Sequence, residues 1–166
     1  MLVQYRKVSR LAAASVTAFL ALAAGRTAAA AEPPACHGTP TPYKLVVTAQ
    51  GVRNNHGDVV ANLYGTDKRK WLADNGELSI SREPAARGEV SICLYLPSPG
   101  RYAVVIFHDA NGDGDLNMGP LGPKEAFGFS NNVRPFLAPP LLRSALFDAG
   151  LGVTRISIRL RYPPFL

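Results

Sequence analysis

The sequence predicts an all-β protein: an antiparallel β-sandwich of about seven strands, immunoglobulin- or transthyretin-like, with at most one short helix. Three observations lead there. Short runs alternate apolar with polar residues, Gly/Pro/Asn-rich turns separate the runs, and helical periodicity is almost absent.

The start of the chain has a different character. Arg6, Lys7 and Arg10 precede an Ala/Leu/Val/Phe-dominated run over residues 11–24, and the small residues 28–31 offer places for cleavage. That is the layout of a secretory signal peptide, and a cut after Ala31 fits it best. The apolar run is shorter than the roughly 20 residues a bilayer span needs, and no later run is long enough. Residues 1–31 are therefore read as a cleaved signal, leaving a periplasmic or extracellular chain with no membrane span. About 135 residues remain, enough for one domain with a real core. Arg6, Lys7, Arg10 and Arg26 leave with the signal, so 14 of the 18 Lys and Arg face 12 acids. The formal charge falls from +6 to about +2, and net charge gives no reason to expect nucleic acid as a partner.

Residues 32–42 form a Pro-rich N-terminal segment, and a single sandwich domain is expected over 43–166. Residues 43–49 alternate, with Tyr43, Leu45, Val47 and Ala49 on one side. Residues 51–58 carry turn chemistry, residues 59–64 resume a strand, and the two strands are expected to pair as a hairpin. Residues 65–88 are polar and irregular, with Trp71, Leu72, Leu78 and Ile80 as anchors to the core. Residues 89–96 form a strand that stops at Pro97-Ser98-Pro99-Gly100, where the prolines lack ladder donors. Residues 101–108 read as a buried strand, and residues 141–149 hold the one hint of a helix. The last strand is the cleanest: Ile156, Ile158, Leu160 and Tyr162 alternate with Ser157, Arg159 and Arg161 until Pro163-Pro164.

Cys36 and Cys93 both lie in the exported part, where oxidation is permitted, and are expected to form a disulfide. No base is identifiable for either as a nucleophile.

The most informative segment is His108-Asp109-Ala110-Asn111-Gly112-Asp113-Gly114-Asp115-Leu116-Asn117. Side-chain oxygens at Asp109, Asn111 and Asp113, a following Gly114, and Asn117 match the first nine positions of an EF-hand-type Ca2+ loop. On that template Asp115 contributes its backbone carbonyl. Position twelve, normally a bidentate Glu, is Pro120, and Glu125 is the nearest carboxylate downstream. Without that ligand any site is weak unless Glu125 or a distant group completes it. The same residues are also ordinary turn formers, so an Asx-rich turn without an ion stays open.

No residue set amounts to a catalytic site. His108 and Asp109 are neighbours on a strand and point to opposite faces. His37, His56 and His108 are scattered without zinc spacing. Ser130 lacks a nucleophile elbow. Phe127-Gly128-Phe129-Ser130-Asn131-Asn132 reads as a structural clasp joining the aspartate loop to the body.

Four stretches together carry a resemblance: Gly51-Val52-Arg53-Asn54, residues 96–104, His108 to Gly114, and residues 121–132. In this order they resemble landmarks of the bacterial uncharacterised family labelled domain of unknown function 2141. The resemblance runs roughly from Leu45 to Tyr162; residues 67–87 are hard to anchor to it. It implies an exported β-sandwich akin to transthyretin-like and carboxypeptidase-regulatory-like modules, and it carries no assigned activity.

The expectation is a non-enzymatic binding or structural module of the periplasm or cell envelope, with Ca2+ as a supporting ion and an unidentified envelope protein or glycan as partner. The alternative is a small hydrolase using Asp109, Asp113 or Glu125, possible only if a cleft gathers those carboxylates with His108. A third reading, a polyanion binder, requires Arg159 and Arg161 to share a patch with Arg101 or Arg155.

Overall fold

The structure, a computed structural model, describes residues 34–120, 122–136 and 138–163. The expected signal segment, residues 1–31, lies outside them. In chain order the strands are β1 (Cys36–His37), β2 (Tyr43–Val52), β3 (Asp58–Tyr64), β4 (Ser79–Pro84), β5 (Gly88–Tyr95), β6 (Gly100–Asp109), β7 (Met118–Gly119), β8 (Gly122–Pro123), β9 (Phe127–Phe129), β10 (Phe147–Ala149) and β11 (Gly152–Arg159). A 3-10 turn at Ser130–Asn132 follows β9, and one helical turn, α1 (Leu142–Ala145), precedes β10.

Two sheets face each other. One has the order β1-β5-β2-β11, the other β10-β6-β3-β4, and β9 lies beside β10 along the same edge of β6. Period-two alternation sends Leu45, Val47 and Ala49 of β2 and Ile92 and Leu94 of β5 inward. They meet Val59, Ala61 and Leu63 of β3 and Val104 and Ile106 of β6 in the main core. Each such Val, Leu or Ile contributes about 1.5–3 kcal/mol when fully buried. A second cluster lies on the opposite face of β6, where Ala103 and Val105 meet Tyr64, Phe129, Leu142 and Ala145. That explains the nearly unbroken apolar run in β6: the strand is covered on both faces.

The expected sandwich is present, with three differences in detail. β2 and β3 do not form a hairpin; they belong to opposite sheets, β2 pairing with β5 and β11, β3 with β4 and β6. Both strands carry a full apolar side, and placing them across the core buries the two sides against each other. β11 runs parallel to β2, which period-two alternation cannot reveal, because it fixes faces and not partners. Within 65–88, Ser79–Pro84 is an edge strand, and Leu72, Leu78 and Ile80 are exposed. Of the four expected anchors only Trp71 packs against a core cluster, edge-on to Tyr64, with Nε1 donating to the Pro140 carbonyl at 2.8 Å; Ala85, just after the strand, enters the main core.

Cys36 and Cys93 are bonded. They sit opposite each other where β1 pairs in parallel with β5, so the bond fastens the Pro-rich segment to the first sheet. Closing a loop with a sequence separation of 57 is worth about 4 kcal/mol in the chain-entropy account.

Candidate functional site

The aspartate loop grows directly out of β6, whose last two residues, His108 and Asp109, are both buried. The chain then reverses through Gly112 and Gly114, which hold φ of 73° and 89°, a region that costs other residues conformational energy. Asp109 fixes this reversal. Its Oδ1 accepts from the Gly112 N–H and its Oδ2 from the Gly114 N–H, both at 2.8 Å. An aspartate in this place therefore acts as an internal frame for the backbone.

Glu125 completes the frame. The short β7–β8 hairpin turns the chain back, Lys124 N–H donates to the Asn117 carbonyl, and His108 N–H donates to the Ala126 carbonyl. Glu125 then lies under the loop, its Oε1 accepting from Ala110 N–H at 3.1 Å and its Oε2 from Asn117 N–H at 3.2 Å. Burial pushes its carboxyl above the ordinary range; the two N–H donors oppose this, and the negative charges of Asp109 and Asp113 add to it.

Above that frame three exposed or half-exposed side chains converge. Asn111 Nδ2 donates to Asp113 Oδ2 at 2.7 Å and to Asn117 Oδ1 at 2.9 Å, and Asn117 Nδ2 donates to the same Asp113 Oδ2 at 2.9 Å. Asp113 Oδ1 accepts from Asp115 N–H at 3.0 Å. These donors, Asn117 first, hold the Asp113 carboxyl below its usual range. Rotating either amide by half a turn replaces its NH2 with an oxygen at the same place. Of the five residues expected to ligate Ca2+, the structure gathers Asn111, Asp113 and Asn117 side by side, puts Asp109 beneath them as a backbone clamp, and leaves the Asp115 side chain exposed. Among the described residues no group of three or more His, Cys, Asp or Glu has metal-holding geometry. A cation here would draw on amide and backbone oxygens beside Asp113, the donor type that hard Ca2+ accepts.

A shallow depression of about 550 Å³ adjoins the loop, lined among others by Arg53, His108, Asn117, Lys124, Glu125 and Tyr162. Asp109 and Asp113 do not line it. His108 is 1% exposed, and both ring nitrogens are engaged. Nε2 donates to the His56 carbonyl at 2.9 Å, and Nδ1 shares a hydrogen bond with the Tyr162 hydroxyl at 2.8 Å, accepting it when the ring carries its one proton on Nε2. The Tyr162 hydroxyl in turn accepts from Arg53 N–H. This network ties the C-terminal segment to the β2–β3 connection and to the base of the loop. Arg53 and Tyr162 thus belong to the site, yet sequence reasoning singled out neither: Tyr162 read only as one more apolar position in an alternating strand.

The 127–132 segment is a clasp, although it joins different parts from those expected. Ser130 Oγ accepts from Val104 N–H and donates to the Ala145 carbonyl. The Asn132 amide donates to the Ser157 carbonyl and accepts from Arg159 N–H, covering part of the free edge of β11. Phe127 exchanges backbone hydrogen bonds with Arg161. The clasp therefore binds the two sheets to each other. Gly128 permits the approach, since a Cβ there would stand 2.6 Å from the Arg159 carbonyl oxygen.

In comparison with known proteins, a family model described as an uncharacterized protein conserved in bacteria (DUF2141) matches residues 47–157. No curated protein and no solved structure matches the chain.

Proposed function

The chain belongs to the DUF2141 family of uncharacterised bacterial proteins, and on the geometry of its aspartate loop we propose that it is an exported, non-enzymatic module of the periplasm or cell envelope whose loop is supported by Ca2+ and presented to an envelope protein or glycan. The observation that carries this reading is the division of labour among the loop's acids. Asp109 and Glu125 clamp the backbone from below, while Asn111, Asp113 and Asn117 converge above it. The frame is built before any ligand arrives, which keeps the ordering cost of binding low.

The same geometry disfavours the hydrolase alternative. Its three carboxylates do not share the depression, His108 has no free nitrogen, and each Glu125 oxygen already accepts an N–H. The raised Glu125 carboxyl is the one feature of a general acid present.

Calorimetric titration of the chelator-treated protein with Ca2+ tests the proposal. Saturable binding in the wild type, reduced at least tenfold in Asp113→Ala, is the expected result. Equal heats from both proteins would remove the loop as the ion site.

A further inference from the structure

At the end of the first sheet, where the chain leaves β11, a second depression of about 550 Å³ is lined by Arg53, Arg159, Arg161, Tyr162, Gln50 and Glu89 among others. Its charge is unbalanced. Among the described residues Glu89 is the one acid on its wall, and its Oε1 accepts from Gln50 Nε2 at 3.0 Å. Among the described residues the ion pairs are His37–Glu83, Arg69–Asp67 and Arg101–Asp148. None of them involves Arg53, Arg159, Arg161 or the neighbouring Arg134.

Arg161 is the centre of the imbalance. It is half-buried, and among the described residues one of its five N–H donors is engaged, Nη2 donating to the Asn132 carbonyl at 3.3 Å. Burial, followed by the positive charges of Arg134 and Arg159, lowers its guanidinium from the ordinary arginine range. Arg53 is also held in place: its guanidinium carbon lies 4.1 Å from the centre of the Tyr162 ring. That cation–π contact holds the guanidinium in place, and among the described residues none of its N–H groups has a hydrogen-bond acceptor. Arg101, by contrast, belongs to the other sheet and faces Asp148, and Arg155, on β11, does not line the depression. The arginine patch is therefore formed with Arg53 and Arg134, partners that the strand pattern alone did not supply.

Uncompensated like charges in a partly desolvated place destabilise the free protein, and an anion relieves them. The arginines come from separate segments, the residue after β2, the turn after the clasp, and the β11 exit, where Arg159 and Arg161 stand two residues apart. Their combined donors outnumber what a planar carboxylate can accept, and suit a tetrahedral, multiply charged group.

We propose that Arg53, Arg159 and Arg161, with Arg134 beside them, form a binding site for a phosphate-class oxyanion, either free or carried on a larger ligand such as an anionic lipid headgroup. The site is separate from the aspartate loop and does not depend on Ca2+.

The test uses the whole protein in the presence of a chelator, so that a failed Ca2+ proposal leaves it intact. Inorganic phosphate is compared with chloride at matched ionic strength, following thermal unfolding and direct titration. Phosphate is expected to raise the Tm more than chloride does. Arg159→Gln/Arg161→Gln is expected to bind phosphate at least tenfold more weakly, with a phosphate-free Tm no lower than that of the wild type. Arg53→Lys keeps the charge and loses the planar fork; several-fold weaker phosphate binding is expected even if the double variant does not fold. Sedimentation with phosphatidylglycerol vesicles, against phosphatidylcholine vesicles, separates the sources. Arginine-dependent binding to the former assigns a lipid headgroup, and phosphate binding without vesicle binding assigns a soluble phosphate. Phosphate no better than chloride, or both variants indistinguishable from the wild type, overturns the proposal.

Discussion

Asp109 and Asp113 stand four residues apart in one loop and do different work. Asp109 is fully buried, and each of its oxygens accepts a glycine N–H; Asp113 is exposed and bonded to neighbouring amides. Removing a buried acceptor strands its donors, whereas removing an exposed one returns its partners to water. Asp109→Ala is therefore expected to cost about 2–4 kcal/mol of stability in urea denaturation, and Asp113→Ala much less without Ca2+. Equal losses would contradict the division of roles. Glu125 adds a pH signature. Its folded carboxyl is raised by burial and by Asp109 and Asp113, so the stabilisation it gives is present below the ordinary glutamate range and disappears as pH rises through its raised value. Asp113, held low by its donors, acts in the opposite sense and loses its contribution as pH falls through its depressed value. Chelator-treated protein should lose stability across the window just above the ordinary glutamate range, and Glu125→Ala should abolish that slope. A slope unchanged by the substitution would assign it to another group.

At the level of elements, the clasp adds hydrogen bonds between two sheets that already share the main core. Ser130 is fully buried between β6 and α1, where it accepts from one backbone group and donates to another. Ser130→Ala leaves both unpaired, and a loss of about 2–4 kcal/mol in chemical denaturation is expected; a loss under 1 kcal/mol would show that the clasp does not bear on stability. Much of this level was legible in the sequence. Alternation marked the faces of β2, β6 and β11, the Pro-rich stop after β5 marked its end, and the expectation of export led to the Cys36–Cys93 bond. Partners were not legible. Alternation in β2 and β3 is the same whether they pair in one sheet or face each other across a core, and the parallel β2–β11 pairing joins segments about a hundred residues apart. Glu125 was noted as the nearest downstream acid, but its return beneath the loop depends on a two-residue hairpin, β7–β8, too short to leave a periodic signal.

Across the whole molecule, the aspartate loop and the arginine depression share a border, since Arg53 and Tyr162 line both depressions. The Tyr162 hydroxyl joins His108 to the Arg53 backbone there, so one end of the sandwich carries an oxygen-rich loop beside a cationic surface. Neither cluster was readable from composition, because a single net charge averages over both. Their juxtaposition depends on long-range topology, which brings the ends of β2, β6 and β11 together. The central claim is that this loop is a Ca2+-supported element of the fold. Thermal unfolding of the protein over a Ca2+ series tests it most directly, because an ion that binds only the folded state stabilises by about 2.7 kcal/mol at one hundred times its Kd. The account predicts a Tm that climbs by several degrees as Ca2+ reaches the millimolar range, with no climb in Asp113→Ala. A wild-type Tm unchanged at millimolar Ca2+ would contradict it and leave the loop as an Asx-rich turn held by its own hydrogen bonds.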